Sequence, residues 1–193
     1  MEFRLIYQGK LPAESRKDTR AKEKSDLRKH FNAQLSALWR EHPFLSKAFN
    51  PDSARQGMSL VEWLGNEHEK CGKKFVPLVH GTWSLACSLD ILFLRRDHPG
   101  GVISSGGDID NRLKVLFDGL RPRENSEMPD GQIDDPFFCL LADDSLITEV
   151  SVTTDRLILP IGEGERKNDV MLVIKVKTIQ VDDGLFAPVR PWV

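Results

Sequence analysis

Two periodicities meet in the middle of the chain and limit what it can become. Residues 84–95 alternate, with Leu85, Cys87, Leu89, Ile91 and Phe93 on one face, as a strand with one buried side requires. Residues 108–120 switch to helical spacing, with Ile109, Leu113, Leu116, Phe117 and Leu120 as a single apolar stripe. The Gly-rich stretch 99–107 separates the two and supplies the turn. A strand that turns directly into an amphipathic helix places the first helical residues at the end of a sheet.

The flanks extend the same alternation of elements. Phe3, Leu5 and Tyr7 mark a strand over 2–8, and Leu27, Phe31, Leu35, Leu38 and Trp39 mark a basic amphipathic helix over 22–41 that Pro43 stops. Strands are expected at 147–154 and 170–179, joined by a hairpin-like segment over 160–168, with an irregular tail from 181. Pro51, Gly57, Gly65, Gly72 and Pro77 make 43–77 an irregular insertion with one short helix near 59–64, and 121–142 reads as an acidic loop. The expected fold class is α+β: a single mixed β-sheet of four or five strands packed with two main helices. At 193 residues and 40% hydrophobic content this is one domain with a real core. Trp39, Trp63, Trp83 and Trp192 are expected as core or interface anchors, and His30, His42 and His98 as surface or packing residues.

Net charge, at -2, excludes nothing by itself, but its distribution is uneven. Residues 1–48 hold eleven Lys and Arg against six acids, whereas 124–149 hold eight acids and no Lys or Arg. A basic face beside an acidic pocket suits a protein that holds phosphate with one part and metal with another. Cys71, Cys87 and Cys139 are odd in number and lack a CxxC pattern, so reduced thiols are expected. The nearest approach to a zinc signature is His68, Cys71 and His80, which lacks a fourth ligand at matching spacing and reads as incidental. Charges at the start, Met1-Glu2-Phe3-Arg4, stand where a secretory signal needs apolar residues, and no apolar run is long enough to span a bilayer. A cytoplasmic protein is expected.

The chemistry concentrates at the start of the second helix. Asp108, Asp110, Asn111, Lys114 and Asp118 follow the Gly-rich turn, and Asp143 and Asp144 come later. Asp110, Lys114 and Asp118 fall at i, i+4 and i+8, along one stripe of the helix. If the two acidic segments meet, each pair of carboxylates repels by about 4 kcal/mol at an effective dielectric of about 20. Such a cluster calls for a hard divalent cation and for the Lys114 ammonium. An EF-hand loop starting at Asp108 would need Asp or Asn at Arg112 and an acid at Gly119, so that reading fails. An aspartyl-phosphate site would follow a hydrophobic strand, whereas 102–107 is mostly Ser and Gly.

The order Asp108-x-Asp110-Asn111-x-x-Lys114-x-x-x-Asp118, then Asp143-Asp144-x-x-Ile147 entering a strand, resembles the RusA family of Holliday junction resolvases over roughly 84–154. The resemblance implies a homodimeric, Mg2+-dependent endonuclease that cuts branched DNA. It implies Asp108, Asp110 and Asp144 as metal-site residues, Asp143 as a supporting acid in that set, and Lys114 as catalytic. Carboxylate-held Mg2+ and a nearby ammonium are what phosphodiester hydrolysis asks for, since charge accumulates on the phosphate as it reacts. Arg16, Lys17, Arg20, Lys24, Arg28, Arg95 and Arg96 would then line the DNA path. The alternatives are a non-catalytic nucleic-acid-binding or partner-binding protein on this scaffold and a metal-dependent hydrolase of small phosphate esters.

Overall fold

The computed structural model describes residues 1–11, 17–52, 56–70, 72–96, 109–123, 135–158 and 169–181, with side chains in the first helix described from residue 22 onward. In chain order the elements are β1 (Glu2–Lys10), α1 (Lys17–Glu41), a 3-10 turn (Leu45–Phe49), α2 (Leu60–Glu67), β2 (Glu69–Lys70) and β3 (Lys73–Val79). A 3-10 turn (Gly81–Trp83), β4 (Leu85–Arg95), α3 (Ile109–Leu120), β5 (Phe137–Leu141), a 3-10 turn (Asp144–Leu146), β6 (Ile147–Arg156) and β7 (Asp169–Gln180) follow. The fold is α+β, as the mixed periodicities require.

The main sheet has the order β1-β7-β4-β6. β7 runs antiparallel to both β1 and β4, while β6 is parallel to β4. The expected hairpin between the last two strands is therefore corrected: β6 and β7 lie on opposite sides of β4, and their connection, 159–168, lies outside the described residues. Leu5 and Tyr7 of β1, Leu89, Ile91 and Phe93 of β4, and Leu172, Ile174 and Val176 of β7 form its buried face.

α1 covers that face with Leu27, Phe31, Leu35 and Trp39, each at most 1% exposed and spaced by one helical turn. It also closes the free edge of β1. The Ile6 N–H donates to Gln34 Oε1 at 3.0 Å and the Ile6 carbonyl accepts from Gln34 Nε2 at 2.7 Å, so backbone groups that would pair with another chain are satisfied internally.

The single-sheet expectation is corrected too. A second, three-stranded sheet has the order β2-β3-β5, with β3 and β5 parallel, Phe75 opposite Phe137 and Val79 opposite Leu141. Thus 43–77 is not irregular but carries α2, β2 and most of β3, and 121–142 contains β5. α2 starts at a capping box: Ser59 Oγ accepts from the Glu62 N–H, and the Glu62 carboxylate accepts from the Ser59 N–H at 2.8 Å. α1 docks on β5 through buried Asn32, whose Oδ1 accepts from the Phe138 N–H at 2.7 Å. It approaches α3 closely as well: a Cβ on Gly119 would stand 2.8 Å from Leu27 Cβ, so only a residue without one fits there undisturbed.

Candidate active site

The parallel pairing of β3 with β5 decides where the second acidic segment goes. β5 delivers Asp143 and Asp144 to the sheet end, where the Ala142 N–H donates to the Val79 carbonyl at 2.9 Å. Asp143 turns the chain: its Oδ1 accepts from the Ser145 N–H at 2.9 Å and opens the 3-10 turn. Hydrogen bonds from Ser145, helped by the charges of Arg121 and Lys70, hold its carboxyl below the usual range. Asp144 is left about half exposed, with its Oδ2 4.0 Å from Arg121 Nε.

α3 carries the first acidic segment. Lys114 Nζ stands 3.7 Å from Asp110 Oδ2, and both side chains are more than half exposed. Asp118, one turn farther, is engaged differently. It contacts Lys24 Nζ of α1 at 2.7 Å and Arg121 Nη2 at 2.6 Å, and is only 21% exposed. Arg121 is thus paired closely with Asp118 and passes 4.0 Å from Asp144 at the end of α3.

Arg121 is inconspicuous in the sequence because it follows the last helical residue and reads as the first residue of a loop. Its signal was present: it lies seven positions after Lys114, hence on the same helical stripe. Asp108 lies outside the described residues. Among the described residues, no three of His, Cys, Asp and Glu gather closely enough to hold a metal ion. Asp110 and Asp144 both have side chains more than half exposed, and Mg2+ is characteristically held by one or two carboxylates with its waters retained. Carboxylate donors of this kind suit such an ion, and Asp143 also serves the turn through its Oδ1.

The expected DNA path needs correction at several positions. Arg28 is 2% exposed and Arg95 1% exposed, so neither presents its charge to solvent. Arg28 Nη2 donates to the Asp118 carbonyl at 3.0 Å and its Nε to the Arg121 carbonyl at 3.2 Å, which caps the C-terminal end of α3. Lys24 is spent on Asp118, and Arg96 is half-buried. Arg16 and the side chains of Lys17 and Arg20 lie outside the described residues.

Asp118 yields a prediction about pH. Burial pushes its carboxyl up, but hydrogen bonds and charge from Lys24 and Arg121 outweigh that and leave it below the usual value. A carboxyl depressed by folding stabilises the native state above its unfolded pKa, and that contribution disappears as pH falls through the folded value. Urea unfolding between pH 7 and pH 3 is expected to show stability declining toward acid, with a smaller decline for Asp118→Asn. An unchanged slope in the variant would refute the assignment.

These elements define an α+β protein in which the Asp110–Lys114 pair lies near the start of α3 and Asp144 lies beside Arg121 at the end of α3. Comparison with protein-family models, curated proteins and solved structures finds no match to any of them. No helix among the described residues is long and apolar enough to cross a membrane.

Proposed function

We propose that this chain is a Mg2+-dependent, structure-selective DNA endonuclease of the RusA type, acting on branched DNA such as Holliday junctions. The observation that carries the reading is that the α3 stripe beginning with Asp110 and Lys114 ends at Asp118 and Arg121, where Asp144 of the second acidic segment lies 4.0 Å from Arg121 Nε. Asp110 and Asp144, with Asp108, are the residues that would hold Mg2+. The ion, when bound, supplies Lewis-acid stabilisation of the phosphate and an activated water. Lys114, exposed beside Asp110, offers its ammonium to a non-bridging or leaving oxygen, where charge develops. Arg121, paired with Asp118, lies beside Asp144.

A homodimer fits paired incision of a symmetric branch, since a two-fold axis relates two equal sites. The reducing cytoplasm accords with the buried, free thiols of Cys87 and Cys139. With Arg28 and Arg95 buried, DNA contact falls to exposed basic residues, among them Lys29 and Lys114.

The test is incubation of wild type and Asp110→Asn with Mg2+ and labelled four-way, flap, single-stranded and linear DNA. Cuts near the branch that require Mg2+ and vanish in the variant are expected. Binding to these DNAs without cleavage by wild type would favour a non-catalytic binding protein, and hydrolysis of mononucleotide esters alone would favour a small-ester hydrolase.

A further inference from the structure

His68 and His80 are twelve residues apart in sequence and adjacent in the fold. His68 caps the C-terminal end of α2, and His80 follows β3 and opens the turn Gly81–Trp83. Their ring centroids are 5.9 Å apart with the planes at 68°. His80 is 0% exposed, and the Trp83 ring, 4.3 Å from it centroid to centroid, fixes its orientation.

Neither histidine is satisfied by the protein. Nδ1 and Nε2 of His80 and Nε2 of His68 are all buried without a hydrogen-bond partner. Native interiors pair nearly all such atoms, and an orphan costs roughly 1–3 kcal/mol. Each neutral imidazole carries one lone-pair nitrogen, and two adjacent rings with unpartnered nitrogens point to something that accepts a lone pair from each. Two rings sharing a metal at a metal–nitrogen distance of about 2.0–2.1 Å stand roughly 5–6 Å apart by centroid, which spans the observed separation.

We propose that His68 and His80 form a binding site for a divalent transition metal ion of the zinc class, distinct from the hard-cation site proposed on the carboxylates. Imidazole nitrogen selects zinc, cobalt, nickel or copper over magnesium. Metal ligation needs the neutral ring, and burial favours that form: it brings His80 down to about 4, with His68 adding to the effect. Burial lowers His68 as well, against the opposing pull of Glu67. Among the described residues no third His, Cys, Asp or Glu joins the pair.

The imidazole pair lies at the sheet end that also carries the acidic segment, since His80 and Asp143 follow shortly after the paired residues Val79 and Leu141. The experiment must therefore separate the two. Calorimetric titration of the full chain with Zn2+, in buffer holding millimolar Mg2+, is expected to give one Zn2+ per chain. His68→Phe keeps an aromatic ring at this half-buried position and removes the nitrogens. It should weaken binding by more than about tenfold, the least that loss of a direct ligand costs when outer partners alone are worth 10–100-fold. Its circular dichroism should match wild type, and Asp144→Asn should bind Zn2+ as wild type does. Absence of saturable Zn2+ binding by wild type would overturn the proposal. So would undiminished binding by His68→Phe, or loss of binding in Asp144→Asn with retention in His68→Phe.

Discussion

Asp144→Asn is expected to reduce Mg2+-dependent DNA cleavage by about a hundredfold or more, the scale on which a preorganised electrostatic group acts. Folding should barely change. The side chain is about half exposed and its described contact is the 4.0 Å approach to Arg121, so a stability change within about 0.5 kcal/mol is expected. Asn keeps the shape and removes the charge that a hard cation needs. Asp118 provides the contrast. It touches the same arginine, but its carboxylate is engaged by both Lys24 and Arg121 and is far less exposed than that of Asp144. Asp118→Asn should lower stability first and cleavage only as folded protein is lost. Single-turnover cleavage at saturating Mg2+, set beside urea unfolding for both variants, separates the two roles. Wild-type cleavage by folded Asp144→Asn would remove this site from the chemistry.

The same comparison explains what the sequence reveals and what it conceals. β4, α1 and α3 are legible because their apolar periods are long and unmixed; each lies within a few residues of its expected span. β5 is not, because Phe137–Leu141 is buried along its whole length and a continuous apolar run has no alternation to read. β3 is obscured by Pro77, which ordinarily argues against a strand. It is tolerated here because β2 pairs only with Lys73 and Lys74, so one side of β3 has no strand partner at Pro77 among the described residues. Those two hidden strands are the ones that place Asp143, Asp144 and His80. Within the site, the Asp110–Lys114 pair follows from helical spacing alone, whereas the Arg121–Asp144 contact depends on a parallel pairing of segments some sixty residues apart. Charge is legible in the same partial way: its sign is read from composition, its direction from phase. Lys24 and Arg28 stand on the same helical face as Phe31 and Leu35, seven positions apart in each case, and that phase turns them toward α3.

Arg28→Met therefore separates two incompatible roles for a basic residue. Two hydrogen bonds from the guanidinium to the Asp118 and Arg121 carbonyls finish a helix whose last carbonyls have no partner of their own. Hydrogen bonds to a charged group contribute about 1.5–3 kcal/mol each, so losing both should cost about 3–5 kcal/mol. That is a large share of a typical domain's 5–15 kcal/mol, and in a chain of this size it lowers Tm by roughly 10 °C. Met retains much of the apolar stem, so the loss reports the polar head rather than an empty cavity. A phosphate contact would behave otherwise: the variant would keep its Tm, and the slope of log affinity for DNA against log salt would fall by about one. Thermal unfolding together with salt-dependent DNA binding of the folded fraction distinguishes these outcomes, and a lower Tm with an unchanged salt slope is expected. A stable variant with the reduced slope would instead return Arg28 to the DNA path. It would also require α1 to release α3 when DNA binds, since in the present packing the guanidinium is covered by the end of that helix.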